Sequence, residues 1–318
     1  MVETQDPIFL VGAEYSGTVL LRLMLHNHPQ ITWCDEFEYA VTWVDHQGRF
    51  PDLATYHDWL STHRIFQSRG FIIDVNLSYP DLVHSFLEQQ RERHQKPIVG
   101  AIVHEHFDRL LALWPAARFI HLVRDPRDVA QSCVEMGVAG NAWMGVQRWL
   151  TAELLWEGFS LQLTSDRFIE VRYEDLMADH LTVLNDLCTF IGVPYSDAML
   201  RYPDYSDYEL PTPAGLQAWQ QTLSPDGVRQ VETRVGDLLS LRGYEPSGLT
   251  PLSLNTYKRL ALTVESWWKR VQFRIHRYGL KLFIADFFTR RLGLKELHRP
   301  IQYELNEIDR HYLKKSWR

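Results

Sequence analysis

Pro7-Ile8-Phe9-Leu10-Val11-Gly12-Ala13-Glu14-Tyr15-Ser16-Gly17-Thr18 runs directly into Val19–Leu25, where apolar residues recur at helical spacing. A short apolar strand that turns through a glycine loop into a helix aims the loop N–H groups and the positive end of the helix at one point, which is how chains hold a phosphate. Gly12 and Gly17 keep the outline of a phosphate-binding loop, but Thr18 stands where a nucleoside triphosphatase carries lysine. An ordinary ATP or GTP loop is therefore not expected, and a kinase-like phosphotransferase is disfavoured.

A second unit of the same kind lies at Arg118-Phe119-Ile120-His121-Leu122-Val123-Arg124-Asp125-Pro126-Arg127-Asp128-Val129-Ala130-Gln131-Ser132. It reads as a buried strand ending at Val123, a turn carrying Arg124, and a helix opening near Pro126 with Asp125 as N-cap. Arg124 thus falls at the carboxyl end of a strand, where open parallel sheets bind ligands, and Ser132 falls about two turns into the helix. Arg127 reads as a helix-surface charge. Phe71–Val75, Pro97–Val103 and Phe168–Tyr173 read as further strands, and Trp143, Trp149 and Trp156 as an aromatic helix. Asp35-Glu36-Phe37-Glu38-Tyr39, with Trp33, Trp43, Tyr56, Trp59 and Phe66, falls in a mostly helical insertion and reads as a substrate wall of carboxylates and aromatic surface. Strands alternating with helices predict an α/β fold with a central parallel sheet flanked by helices.

With both phosphate motifs placed, the chain resembles the sulfotransferase superfamily, whose members transfer a sulfuryl group from 3′-phosphoadenosine 5′-phosphosulfate (PAPS). The similar pieces are PIFLVGAEYSGTVLLRLMLHNHPQI, ARFIHLVRDPRDVAQS, RFIEVRYEDLMADHLTVLNDLCTFIGVPY and WQQTLSPDGVRQVETRVGDLLSLRGYE, in family order over residues 7–245. The resemblance implies a P-loop-like sulfotransferase fold, PAPS as donor and 3′-phosphoadenosine 5′-phosphate (PAP) as product, with no metal. It implies that Ser16, Gly17 and Thr18 hold the 5′-phosphate, that Arg124 and Ser132 hold the 3′-phosphate, and that Tyr173 lies near the adenine. Two bases are implied by different branches. Glu36 matches a catalytic glutamate of the enzymes acting on protein tyrosine, and His104 a catalytic histidine of the cytosolic small-molecule enzymes.

The chain departs from the family where the sulfuryl group reacts. Tyr15 replaces the arginine or lysine before the loop serine, Val19 the usual second threonine, Ile102 a lysine close to the sulfuryl group, and Ala218 a basic residue before Trp219. Preorganised positive charge is generally a large part of the help given to charged-group transfer. The expected function is transfer of a sulfuryl group to a hydroxyl or amine of a small-molecule acceptor. The alternative is a catalytically weakened nucleotide-binding protein of the same fold with a regulatory or assembly role.

The 318 residues carry a net charge of −7, distributed unevenly: residues 251–318 hold 15 Lys and Arg against 6 Asp and Glu, so residues 1–250 are strongly acidic. A sulfotransferase-like domain over 1–250 and a basic, aromatic-rich helical extension over 251–318 are expected, divided near Ser247–Pro251. In the extension Leu260, Val264, Trp267, Trp268, Val271, Ile275 and Tyr278 recur at helical spacing, opposite Lys258, Arg259, Lys269, Arg270, Arg274 and Arg277. Such stripes more often make core or subunit contacts than membrane contacts, so a cover over the active-site side or a homodimer contact is expected ahead of a membrane surface. Nucleic acid is not an expected partner, because the main domain is acidic and no binding module is recognisable. Three widely spaced cysteines indicate neither a disulfide framework nor a zinc site. Met1–Asp6 lacks the pattern of a leader and no apolar run can span a bilayer, so a soluble, cytoplasmic protein is expected.

Overall fold

The computed structural model describes residues 6–316; Met1–Gln5, part of the stretch read for a leader, lie outside the described residues. Five parallel strands, β1 (Ile8–Val11), β2 (Ile31–Glu36), β3 (Ile98–Val103), β4 (Arg118–Val123) and β5 (Phe168–Arg172), form one sheet in the order β2-β3-β1-β4-β5. The fold is α/β. β1 is buried on both faces: Ile8 and Leu10 enter one apolar cluster and Phe9 and Val11 the other, as a parallel sheet covered on both sides requires.

The chain divides into two compact units. The first, residues 1–124 and 151–216, contains the whole sheet with α1 (Thr18–Asn27), α2 (Leu53–Thr62), α3 (Arg64–Arg69) and α4 (Tyr79–His94). The second, residues 125–150 and 217–318, opens with α5 (Pro126–Glu135) and α6 (Ala142–Gly145). α7 (Gln147–Ser160) passes from the second unit into the first, where α8 (Tyr173–Ala178) and α9 (His180–Ile191) follow β5. The second unit resumes with α10 (Trp219–Thr222), α11 (Pro225–Val235), α12 (Leu238–Leu241), α13 (Thr256–Tyr278), α14 (Leu280–Arg291) and α15 (Lys295–Ser316). Among the described residues no helix is long and apolar enough to cross a membrane.

In the first unit, α1 packs on the cluster of Ile8 and Leu10, whereas Phe107 and Leu110, in the turn after β3, pack on the other. The chain therefore leaves β1 and β3, which are neighbours, toward opposite faces. In open parallel sheets ligands bind at the carboxyl ends of two strands that diverge in this way.

Several local expectations are corrected. Ile31–Glu36 is the edge strand β2 rather than part of a helical insertion, and Trp33, Tyr56 and Phe66 are core residues rather than a substrate wall. Phe71–Val75 forms no strand, and the outer edge of β2 is met by side chains at Trp33. His26 Nδ1 accepts the Trp33 N–H at 3.1 Å, and Gln90 Nε2 donates to Trp33 O at 3.2 Å. Ile72 instead pairs its N–H and C=O with the side-chain amide of Gln89. The aromatic helix breaks at Val146 into α6 and α7.

In the second unit Asp125 caps α5, its carboxylate accepting the Arg127 N–H at 2.9 Å. Arg127 is buried rather than on the surface: Asp125 and Glu232 accept its donors and the Trp219 ring lies 3.9 Å from its guanidinium carbon. α13 starts at its N-cap Asn255, but the stripe of Leu260, Val264, Trp267 and Trp268 that its spacing predicts to be covered is exposed. The buried side chain of α13 is Ser266, whose Oγ accepts the Gly140 N–H at 2.9 Å.

Candidate active site

The loop between β1 and α1 is held by close packing against the rest of the first unit. Gly12 has φ +136°, and a Cβ there would lie 2.3 Å from Leu122 O; Gly17 has φ +95°, and its Cβ would lie 2.3 Å from Tyr173 Cδ2. Tyr15 also adopts a positive φ of 68°, an uncommon geometry for a residue with a side chain. Gly17 is the N-cap of α1 and no side chain caps the helix, so its positive end opens at Ser16–Thr18. Ser16 is fully buried, and its Oγ has no hydrogen-bond partner among the described residues. A buried hydroxyl left without a partner at such a place fits an anion that accepts from it.

Arg124 follows β4 and reaches back to this loop. Its Nη1 donates to Tyr15 O at 3.1 Å, and its guanidinium carbon lies 4.4 Å from the centroid of the Tyr173 ring. Ser16, Gly17, Thr18, Arg124 and Tyr173 are thus gathered around one loop. Ser132 lies on α5 in the second unit, partly buried.

Beside the loop, His104 follows the last residue of β3. Its Nδ1 lies 3.1 Å from Gly12 O, and since a carbonyl only accepts, Nδ1 carries the proton of that bond. In the neutral ring Nε2 then keeps the lone pair. The backbone N–H of His104 donates to Glu38 Oε1 at 2.8 Å. Glu38 is brought there by an irregularity in β2: the pairing with β3 shifts between Cys34 and Glu36, and Phe37 N–H continues it to Ile102 O at 2.8 Å. Asp35, at the shift, is bound by Arg22 at 2.6 Å and by Arg69.

Burial pushes the Glu38 carboxyl up to about 7; the His104 charge opposes that shift and Glu36 adds to it. Glu38 is the site residue the sequence reading missed. The sequence places it in the carboxylate and aromatic cluster that reads as a substrate wall and gives it no part in proton transfer; the structure sets it at the start of a 3₁₀ turn against the His104 backbone. A carboxyl titrating near neutrality beside a histidine with an available Nε2 can accept, hold and redirect a proton.

Residues 7–197 match the model of the sulfotransferase family. The chain belongs to that family. This sulfotransferase-family chain is 23% identical over 275 residues to a protein-tyrosine sulfotransferase of Drosophila melanogaster, the match covering 77% of the chain and 52% of the relative. It thus spans about half of that relative's length. A putative protein-tyrosine sulfotransferase of Caenorhabditis briggsae is 24% identical over 273 residues, with 77% and 91% covered. Among solved structures, the sulfotransferase domain of the Synechococcus PCC 7002 olefin synthase shares the fold at a TM-score of 0.57 and 21% identity, over 76% of this chain and 97% of that one.

Two departures from the family take on physical meaning here. Ile102 is buried in the apolar cluster with Leu10, Ile120 and Leu122, a place where an ammonium would be strongly desolvated. At Tyr15 the side chain brings no cation, but Arg124 sets its guanidinium against the Tyr15 carbonyl. Arg274 and Arg277 of the second unit are ion-paired with Asp286 and Asp309. No group of three or more His, Cys, Asp or Glu side chains that could hold a metal occurs among the described residues.

Proposed function

We propose that the protein transfers a sulfuryl group from PAPS to a hydroxyl or amine of a small-molecule acceptor. The observation that carries this reading is the buried, unpartnered Ser16 Oγ at the open end of α1, with the Arg124 guanidinium against the same loop. Bound there, PAPS supplies the sulfuryl group on a phosphate leaving group. Ser16, Gly17 and Thr18 hold the 5′-phosphate through N–H and hydroxyl donors. Arg124 takes the 3′-phosphate, its planar fork suiting a dianion. Ser132 is assigned to the same phosphate, and Tyr173 to the adenine, on the family resemblance. Tyr173 also supports the Arg124 guanidinium with its ring.

His104 Nε2 takes the acceptor proton, and Glu38, bonded to the His104 backbone, holds that residue in place and places negative charge beside the imidazolium once ionised. Glu36 is the competing base; the relatives named for protein tyrosine also sulfate a hydroxyl, so their chemistry is compatible with this reading. Transfer of labelled sulfate from PAPS to a panel of phenols, alcohols and amines tests the proposal. His104→Ala is expected to lower the rate by about a hundredfold or more with nucleotide affinity retained, and Glu36→Gln to do little. The reverse pattern moves the role to Glu36. The absence of a cationic side chain at Tyr15 and Ile102 favours one second reading, a weakened enzyme kept for nucleotide binding. It requires that PAP bind and that no acceptor be sulfated.

A further inference from the structure

We infer that a crevice along the outer edge of β2 is a binding site for a small oxyanion, a carboxylate or phosphoryl group, separate from the loop between β1 and α1. The crevice holds about 230 Å³ and is lined by Arg22 of α1, Trp33 and Asp35 of β2, Arg69 of α3 and Arg93 of α4, all within the first unit. None of Ser16, Gly17, Thr18, Arg124 or Tyr173 lines it, so the inference stands apart from the donor proposed above.

The charges of its walls do not balance. Arg22 Nε lies 2.6 Å from Asp35 Oδ1 and Arg69 pairs with the other oxygen of the same carboxylate, so two cations share one anion. Arg93 is the third cation; it donates to Arg69 O at 2.8 Å and Gly70 O at 3.2 Å, which fixes it at the end of α3 without neutralising it. His26 and His94 also line the crevice, but burial lowers the pKa of both, that of His26 to about 4, and they add no charge at neutral pH. Asp35 draws the pKa of Arg22 up, yet burial outweighs it and Arg69 works in the same direction as burial. A buried guanidinium in that state is stabilised by one more anion, and a second cation would be repelled. Donors for that anion are in place. Arg69 Nε is buried with no hydrogen-bond partner among the described residues, and so is Nε1 of Trp33, a side chain only 2% exposed. Trp33 is seated over Gly100, where a Cβ would lie 2.5 Å from its ring. Guanidinium forks beside an indole N–H suit the several acceptor oxygens of a carboxylate or phosphoryl group.

Titration of the PAP-saturated full chain with inorganic phosphate tests the inference, since PAP fills the loop where phosphate would otherwise compete. Saturable binding of phosphate is expected, and Arg69→Gln should weaken it about tenfold or more while keeping the parent's PAP affinity, because a charged hydrogen bond is lost. In the parent, the Trp33 indole N–H resonance, assigned through Trp33→Phe, should move as the site fills. Repeating the titration without PAP keeps the two sites apart: if PAP does not bind, the nucleotide assignment fails, and the phosphate lost in Arg69→Gln still reports this crevice. Hydroxyphenylacetate and its methyl ester then give the source of the anion. Displacement of the acid by phosphate, with Arg69→Gln weakening the acid and not the ester, supports the site as the seat of an acceptor's acid group; phosphate bound and the acid ignored supports it as the seat of a free ion. No saturable phosphate beyond the loop, an Arg69→Gln variant that binds as the parent does, or a stationary Trp33 resonance overturns the inference.

Discussion

Glu38 owes its altered acidity to burial, and the consequence is a specific pH dependence. Its carboxyl is driven up to about 7, with the positive charge of His104 opposing and Glu36 reinforcing the shift. As pH rises through that range Glu38 ionises and sets negative charge beside the imidazolium formed when the acceptor proton is transferred, so the rate profile should have an acid limb near pH 7. Glu38→Gln should flatten the limb and lower kcat about tenfold, with little change in the KM for the nucleotide. An unchanged profile in the variant would remove Glu38 from the reaction. Gly17 makes a second test at the same scale. Its φ of +95° and the 2.3 Å from a Cβ to Tyr173 leave no place for a side chain. Gly17→Ala should weaken PAP binding more than tenfold by calorimetry; undiminished affinity would show that the loop does not hold the nucleotide.

At the scale of elements, β4 and β5 are joined through a buried charged group. His121 Nδ1 lies 3.0 Å from Glu170 Oε1 and Nε2 lies 3.2 Å from Glu153 Oε1, with Trp156 stacked on the ring and donating to Glu170. Burial alone would drive the proton off, but the two carboxylates outweigh it and the pKa is raised. A histidine raised above its unfolded value of about 6.5 adds stability that is fully present below that pH and is lost as pH climbs through the folded value. His121→Gln should therefore lower stability by about 3 kcal/mol at acidic to neutral pH, and by less in alkali, measured by urea unfolding across pH. A variant whose loss is independent of pH would show that the imidazolium is not what stabilises the pair of strands.

The elements that were legible in the sequence are those whose patterns are local. β1, β3, β4 and β5 announce themselves as short apolar runs, and α5 by Asp125-Pro126. β2 was missed because Thr32, Asp35 and Glu36 dilute its apolar run, and its strand state is set by pairing with distant β3. Phe71–Val75 has strand composition, but Ile72 pairs with the Gln89 side-chain amide instead of joining the sheet. The phosphate loop could be read because glycines mark backbone geometry. The tie between Glu38 and His104 could not, because it depends on a register shift and on burial that no local pattern encodes.

For the molecule as a whole, the basic tail is part of a folded unit and not merely an appendage. Ser266 satisfies the Gly140 N–H, and a Cβ on Gly140 would lie 2.5 Å from Ser266 O. Gly140→Ala should therefore destabilise the protein by about 1–3 kcal/mol and lower its melting temperature by several degrees; an unchanged melting curve would show that α13 is not packed there. The proposed donor itself is tested most directly by titrating the full chain with PAP, AMP and ATP in a calorimeter, with Arg124→Ala alongside. Charged hydrogen bonds to a 3′-phosphate contribute about 1.5–3 kcal/mol each, so PAP should bind more than tenfold tighter than AMP or ATP, and Arg124→Ala should remove most of that preference. Equal affinity for PAP and AMP would contradict the assignment.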